Sequence, residues 1–228
     1  MSLRYRRLMS SYKKAGYKEW WNLDGIITPA NCLAAYQPKG AASYTDSLIN
    51  LANPGTYDLT ELAAPSSWDS INGWDGNGTD TELKTGILVD SDGEWSIICR
   101  FTGAVTSNDL LFGADDYEGG YRMWGLGFFH VDPDEQRWYT GSQNYVARNP
   151  TGEPFDGVMA ISYLTAYWNG VDIGDSSGVG NIPTGSGIRF FMGSYSAAFP
   201  GQIQAGAAYN TILTAGQISA LTTAINLL

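Results

Sequence analysis

The residues of this chain that could do chemistry are few and scattered. Seven glutamates are present: Glu19, Glu61, Glu82, Glu94, Glu118, Glu135 and Glu153. Two carboxylates at alternate positions of a strand would share one sheet face and could serve as acid and nucleophile at a glycosidic bond. None of the seven has such a partner within a strand-like run. Asp132 and Asp134 have the spacing, but Pro133 between them and Glu135 after them read as a turn. His130 is the sole histidine, so a Ser/His/Asp arrangement would have to use it. No Gly-x-Ser-x-Gly elbow presents a nucleophile, since Gly185-Ser186-Gly187 lacks the second spacer. One histidine and the two distant cysteines, Cys32 and Cys99, do not make a zinc site, and no phosphate-binding loop occurs. The chain is therefore read as non-enzymatic.

Binding chemistry is better represented. Sugars stack their C–H faces on exposed aromatic rings and hydrogen-bond to planar polar groups. The stretch holding Tyr117, Tyr121, Trp124, Trp138, Tyr139 and Tyr145, with Asp115, Asp116, Arg122, Gln143 and Asn144 nearby, has that composition. The candidate ligand residues are Tyr121, Trp124, Trp138, Tyr145 and Asn144. The same aromatics are equally the material of a β-sandwich core. A second candidate surface lies at the N-terminus. Residues 1–18 hold Arg4, Arg6, Arg7, Lys13, Lys14 and Lys18 and no acid, whereas the other 210 residues hold 7 bases and all 23 acids, a net charge of −16. A basic arm on an acidic body suits docking on a neighbouring subunit. Interleaved Tyr5, Tyr12 and Tyr17 fit that use or a salt-dependent phosphate contact, while a solvated tail is the bland alternative. The acidic body should repel nucleic acid, leaving the arm alone for any such contact.

The elements that must position these residues read mainly as strands. The 28 glycines and 43% hydrophobic content suit one large all-β domain. Strands are expected over Leu83–Val89, Glu94–Thr102, Leu110–Ala114, Tyr121–Val131, Gln136–Thr140 and Val158–Ser162. In the second of these, Trp95, Ile97, Cys99 and Phe101 face one way, with Cys99 a buried apolar residue rather than half of a disulfide. Asn169-Gly170 between Tyr163–Trp168 and Val171–Ile173 is a hairpin signal, because both turn positions need positive φ. Ile188–Ser194 and Gln202–Tyr209 follow. Thr214 and Gln217 form a capping box for a last helix whose stripe is Ile218, Leu221, Ile225 and Leu228. Earlier, Thr28-Pro29 predicts a short helix over about 29–36. Leu3, Leu8, Met9 and Tyr12 could make the arm a short amphipathic helix. No run of about 18 apolar residues could span a membrane, and the N-terminus lacks the apolar stretch of a secretory signal.

Trp95 to Phe101, the Ala166-Tyr167-Trp168-Asn169-Gly170-Val171-Asp172-Ile173 hairpin, and Gly201 to Tyr209 followed by the capped helix resemble concanavalin A-like, laminin-G-type domains. The resemblance covers about residues 66–228. It implies an all-β jelly-roll sandwich with a short C-terminal helix and a basic N-terminal arm. Glycanases of this fold carry a Glu-x-Asp-x-Glu strand that this chain lacks. Laminin-G-type domains often hold one calcium on a loop rim, which makes Asp115 and Asp116, or Asp90 and Asp92, candidate ligands; solvated turn acids are the alternative. Tyr36 to Tyr44, Asn50 to Gly55, Gly73-Trp74 and the Arg-rich start Leu3 to Met9 resemble uncharacterised proteins of tailed phages and prophages. Those are thought to be virion components.

The expected organisation is thus an arm over 1–25, an irregular attachment region over 26–65 and a laminin-G-like sandwich over 66–228. The expected role is a non-enzymatic virion structural protein (decoration, fibre or tail tip), made in the host cytoplasm, docking through its arm on other virion subunits and forming a homo-oligomer. The alternative is a lectin-like module for a cell-surface glycan, with a divergent glycanase third. No cofactor is implied beyond calcium, and no membrane.

Overall fold

The computed structural model describes residues 19–23, 30–90, 94–103, 109–116, 122–129, 135–141, 144–148, 156–178, 183–193 and 199–228. Within them the strands are β1 (Cys32–Tyr36), β2 (Thr60–Ala63), β3 (Ser67–Asp69), β4 (Gly73–Asp75), β5 (Glu82–Leu88), β6 (Ser96–Thr102), β7 (Asp109–Asp116) and β8 (Arg122–Phe129). They continue with β9 (Glu135–Gly141), β10 (Asn144–Arg148), β11 (Gly157–Ser162), β12 (Thr165–Trp168), β13 (Val171–Asp175), β14 (Gly187–Gly193) and β15 (Gln202–Tyr209). Two helices, α1 (Tyr44–Ser47) and α2 (Ala215–Ile225), complete the described elements.

Antiparallel pairing sorts the strands into two sheets. Sheet A runs β13-β12-β11-β6-β15-β4-β3, with β1 also paired to β15, and sheet B runs β10-β9-β8-β7-β14-β5-β2. The chain is an all-β jelly-roll sandwich with one C-terminal helix, as its alternating runs require. Trp95, Ile97, Cys99 and Phe101 enter the core between the sheets, where they meet Leu126, Phe128, Ile188 and Phe190 of sheet B. Ile98, on the opposite face of β6, instead meets Ile218, Leu221 and Ile225 of α2. Thr214 and Gln217 form the reciprocal capping box that starts this helix. The Asn169-Gly170 turn has φ of 50° and 78°, the two positive values a tight hairpin turn demands. Both cysteines are free and buried, and burial pushes both thiols up, so they remain protonated apolar residues. Among the described residues no helix is long and apolar enough to cross a membrane.

The structure corrects four expectations. The helix expected over about 29–36 is strand β1, paired with β15 from Cys32–Tyr209 to Tyr36–Gly206. Ala34 and Tyr36 enter the main core and Ala35 faces α2, while a register shift between Cys32 and Ala34 puts Cys32 on the α2 side as well. Residues 30–65 of the expected attachment region are accordingly part of the sandwich, supplying β1 to sheet A and β2 to sheet B. Trp20 and Trp21, expected within the arm over 1–25, are instead buried against the outer side of sheet A, and the Tyr209 hydroxyl donates to the Trp21 carbonyl at 3.2 Å. Finally, the hairpin strand begins at Thr165, since Tyr163 has φ of 56° and turns the chain after β11.

Candidate functional site

Pairing register brings together, on the outside of sheet B, residues that are far apart in sequence. Lys84 lies opposite Arg189, Arg189 opposite Gly113, and Gly113 opposite Gly125. Gly125 lies opposite Tyr139 and Tyr139 opposite Tyr145, so one row crosses β5, β14, β7, β8, β9 and β10. Strand neighbours of this row, namely Leu83, Ile188, Phe190, Phe112, Trp124, Leu126 and Trp138, all point into the core. Alternation therefore turns the row outward. Leu110, Met192 and Tyr139, with Met123 against them, form a separate apolar cluster on the same side.

One flank of the row is aromatic. The Arg137 guanidinium lies 4.0 Å from the centroid of the Tyr145 ring, and the Tyr139 and Tyr145 rings are 6.0 Å apart at 56°. Such a cation–π contact contributes about 0.5–1 kcal/mol at a partly exposed site. Glu135 holds the guanidinium in place, accepting from Arg137 Nη2 at 2.7 Å and Nε at 3.1 Å. Burial pushes the Tyr139 phenol up to about 12, against the pull of the Arg137 charge and hydrogen bond. It thus remains protonated at neutral pH. Tyr145 is 38% exposed, so its ring can meet a ligand, and Asn144 beside it is half-buried.

The other flank is ionic. Arg189 donates from Nη1 to Glu82 at 2.8 Å and from Nη2 to Asp115 at 3.4 Å, bridging strands β5 and β7 across β14. Burial raises the Asp115 carboxyl above its ordinary range; Arg189 opposes that rise, while Glu82 and Asp116 add to it. Between the flanks the row itself holds Gly113 and Gly125, both buried. A Cβ on Gly113 would sit 2.3 Å from the Trp124 carbonyl oxygen, and one on Gly125, whose φ is +148°, would sit 2.6 Å from the Gly113 Cα. Close approach of β7 to β8 thus demands glycine at both positions.

The expected ligand residues separate into three groups. Trp124 and Trp138 are 1% and 0% exposed and belong to the core, which corrects their assignment to a sugar platform. Each occupies the strand position whose side chain points inward, with Trp124 edge-on to Trp95 at 6.5 Å. Tyr145 lies on the candidate face, and Asn144 precedes it in β10. Tyr121 lies outside the described residues, as do His130, Gln143 and the cationic docking residues Arg4, Arg6, Arg7, Lys13, Lys14 and Lys18. The candidate calcium ligands Asp115 and Asp116 are successive residues of β7, which the pleat turns to opposite faces. Asp115 meets the Arg189 cation instead, and among the described residues no group of three His, Cys, Asp or Glu could hold a metal. Glu82, Arg189, Glu135, Arg137 and the glycine pair were not anticipated. In β9 the alternation Glu135, Arg137, Tyr139 against Gln136, Trp138, Thr140 carries the signal, since two opposite charges mark the outward face.

No family model matches the chain, and no curated protein does. Among solved structures it is similar to the Trypanosoma rangeli sialidase in complex with sialic acid, with a TM-score of 0.62 and 15% identity, over 95% of this chain. The chain spans only 38% of that sialidase's length. It is also similar to domain 4 of AbnA, a GH43 extracellular arabinanase from Geobacillus stearothermophilus, in complex with arabinotriose. That match has a TM-score of 0.52 and 14% identity, over 85% of this chain and 98% of the domain. At such identities the likeness is one of fold.

Proposed function

We propose that the protein is a carbohydrate-recognition module that binds through the outer face of sheet B. One observation carries the reading: the register sets the Tyr139–Tyr145–Arg137 cluster and the Arg189 cluster at two ends of a row whose middle is glycine. An exposed ring supplies the stacking surface a sugar needs, and planar guanidinium, carboxylate and amide groups supply its hydrogen bonds. Support by analogy comes from the arabinanase domain, a whole sandwich of similar fold that holds arabinotriose. The reading is non-enzymatic: the two carboxylates that face one another here, Glu82 and Asp115, are both engaged by one arginine.

A glycan array tests this with the full chain and with Tyr145→Ala. Saturable binding that the substitution removes is expected. Undiminished binding by the variant would move the site elsewhere. Release of reducing sugar from any bound glycan would instead make the protein a glycanase.

A second reading keeps the virion role, with recognition at its outer end. What favours it is the position of Trp20 and Trp21 on the outer side of sheet A. Trp20 and Trp21 thus pack on the sheet opposite the one that carries the candidate sugar surface. Loss of particle association on removing residues 1–18, with sugar binding retained, is the expected outcome.

A further inference from the structure

Resting on the carbohydrate reading above, we infer that the ligand of this face is a neutral oligosaccharide, and that sialylated or uronic-acid sugars are discriminated against. A site for an acidic sugar needs a cation whose charge is left over for the ligand carboxylate, usually a guanidinium presenting a free fork. On this face both described guanidinium groups are already committed. Arg189 is divided between Glu82 and Asp115, and Arg137 gives Nε and Nη2 to Glu135 while its plane lies on Tyr145. Lys84 sits beside Arg189 in the row, on the same face of β5 as Glu82, two residues away. The described charges of the two clusters (Lys84, Arg189 and Arg137 against Glu82, Asp115 and Glu135) therefore sum to zero.

The field of the whole body points the same way. The full chain carries a net charge of −10, and residues 19–228, with 7 bases and 23 acids, carry −16, so an approaching anion meets a repulsive field. This repulsion is long-ranged at low salt, with a screening length of about 30 Å at 0.01 M. A neutral sugar feels none of it, and it gains from the carboxylates as hydrogen-bond acceptors for its hydroxyls. Neutral ligands lose nothing by the internal pairing of the arginines, whereas an acidic ligand would have to displace Glu82, Asp115 or Glu135.

The test titrates the full chain, in low and moderate salt, with matched probes. These are arabinotriose, galactotriose and lactose on the neutral side, and trigalacturonic acid and 3′-sialyllactose on the acidic side. Binding of at least one neutral probe at least about tenfold tighter than every acidic one, with the gap widening at low salt, is expected. Equal or tighter binding of an acidic probe overturns the inference and leaves the carbohydrate reading standing. Silence towards all five probes and across a broad array would remove both. A Glu82→Gln, Asp115→Asn double variant adds a positive control of the mechanism. With Arg189 released, its affinity for an acidic probe should rise about tenfold; an unchanged affinity would show that pairing of Arg189 is not what excludes the acid.

Discussion

The Arg137 guanidinium covers one side of the Tyr145 ring at 4.0 Å, while the ring remains 38% exposed. Arginine thus fixes the ring's orientation and leaves part of its surface to solvent. A ring held this way loses little conformational entropy when a ligand stacks on it.

From this follows a separation between ligand residues and core residues. Tyr145→Ala should abolish glycan binding with a stability change within about 1 kcal/mol, because the side chain is partly exposed. Trp138→Ala should cost about 3–5 kcal/mol, because it empties a fully enclosed site. Urea denaturation beside a binding titration distinguishes the two. A Trp138→Ala protein that folds normally and merely loses its ligand would return Trp138 to the binding surface.

The glycine pair, buried and in close backbone contact, predicts an intolerance of any side chain. Gly113→Ala places a methyl 2.3 Å from the Trp124 carbonyl oxygen, a contact only strand separation relieves. A loss of about 1–3 kcal/mol is expected, together with weaker ligand binding as the face is deformed. Thermal melts of Gly113→Ala set against Gly178→Ala, where a methyl meets nothing within 4 Å, provide the comparison.

Asn50 is the fastener of the N-terminal region. Fully buried, it accepts from the Ala35 and Ala52 amides at 3.0 Å and donates to the Leu33 and Thr56 carbonyls at 2.9 and 2.8 Å. Asn50→Ala strands four backbone groups at about 1–3 kcal/mol for each one left unsatisfied. Hydrogen exchange should show β1 opening first. Uniform protection of Ala35 in the variant would contradict this account.

Asp115 introduces a pH dependence of definite sign. Its folded carboxyl titrates above the ordinary range, chiefly through burial, so the folded state holds the proton more tightly than the unfolded chain does. Its contribution to stability is full below the unfolded value and is lost as pH rises through the folded value. Relative to Asp115→Asn, the wild type should therefore gain stability as pH falls through that window. Denaturant midpoints for both proteins across the acid range give the answer, and a relative loss on acidification would show that the Arg189 pairing dominates instead.

Local sequence determined the elements whose signals are local. Asn169-Gly170 sets a hairpin because few residues tolerate two positive φ values, and Thr214 with Gln217 starts α2 because each side chain satisfies the other's backbone amide. The alternation of Trp95, Ile97, Cys99 and Phe101 likewise settles which side of β6 is core. Residues 29–36 misled because Pro29 is a helix-start signal, whereas pairing with β15, 170 to 177 residues away, is what buries Tyr36 and Cys32. The candidate face is of this second kind throughout. Lys84, Gly113, Gly125, Tyr139, Tyr145 and Arg189 become neighbours only through the registers of five strand pairings. Those registers also decide that Trp138 faces inward and Tyr139 outward. Composition showed that aromatic and polar groups were present; only the pairing of strands distant in sequence determined which share a surface.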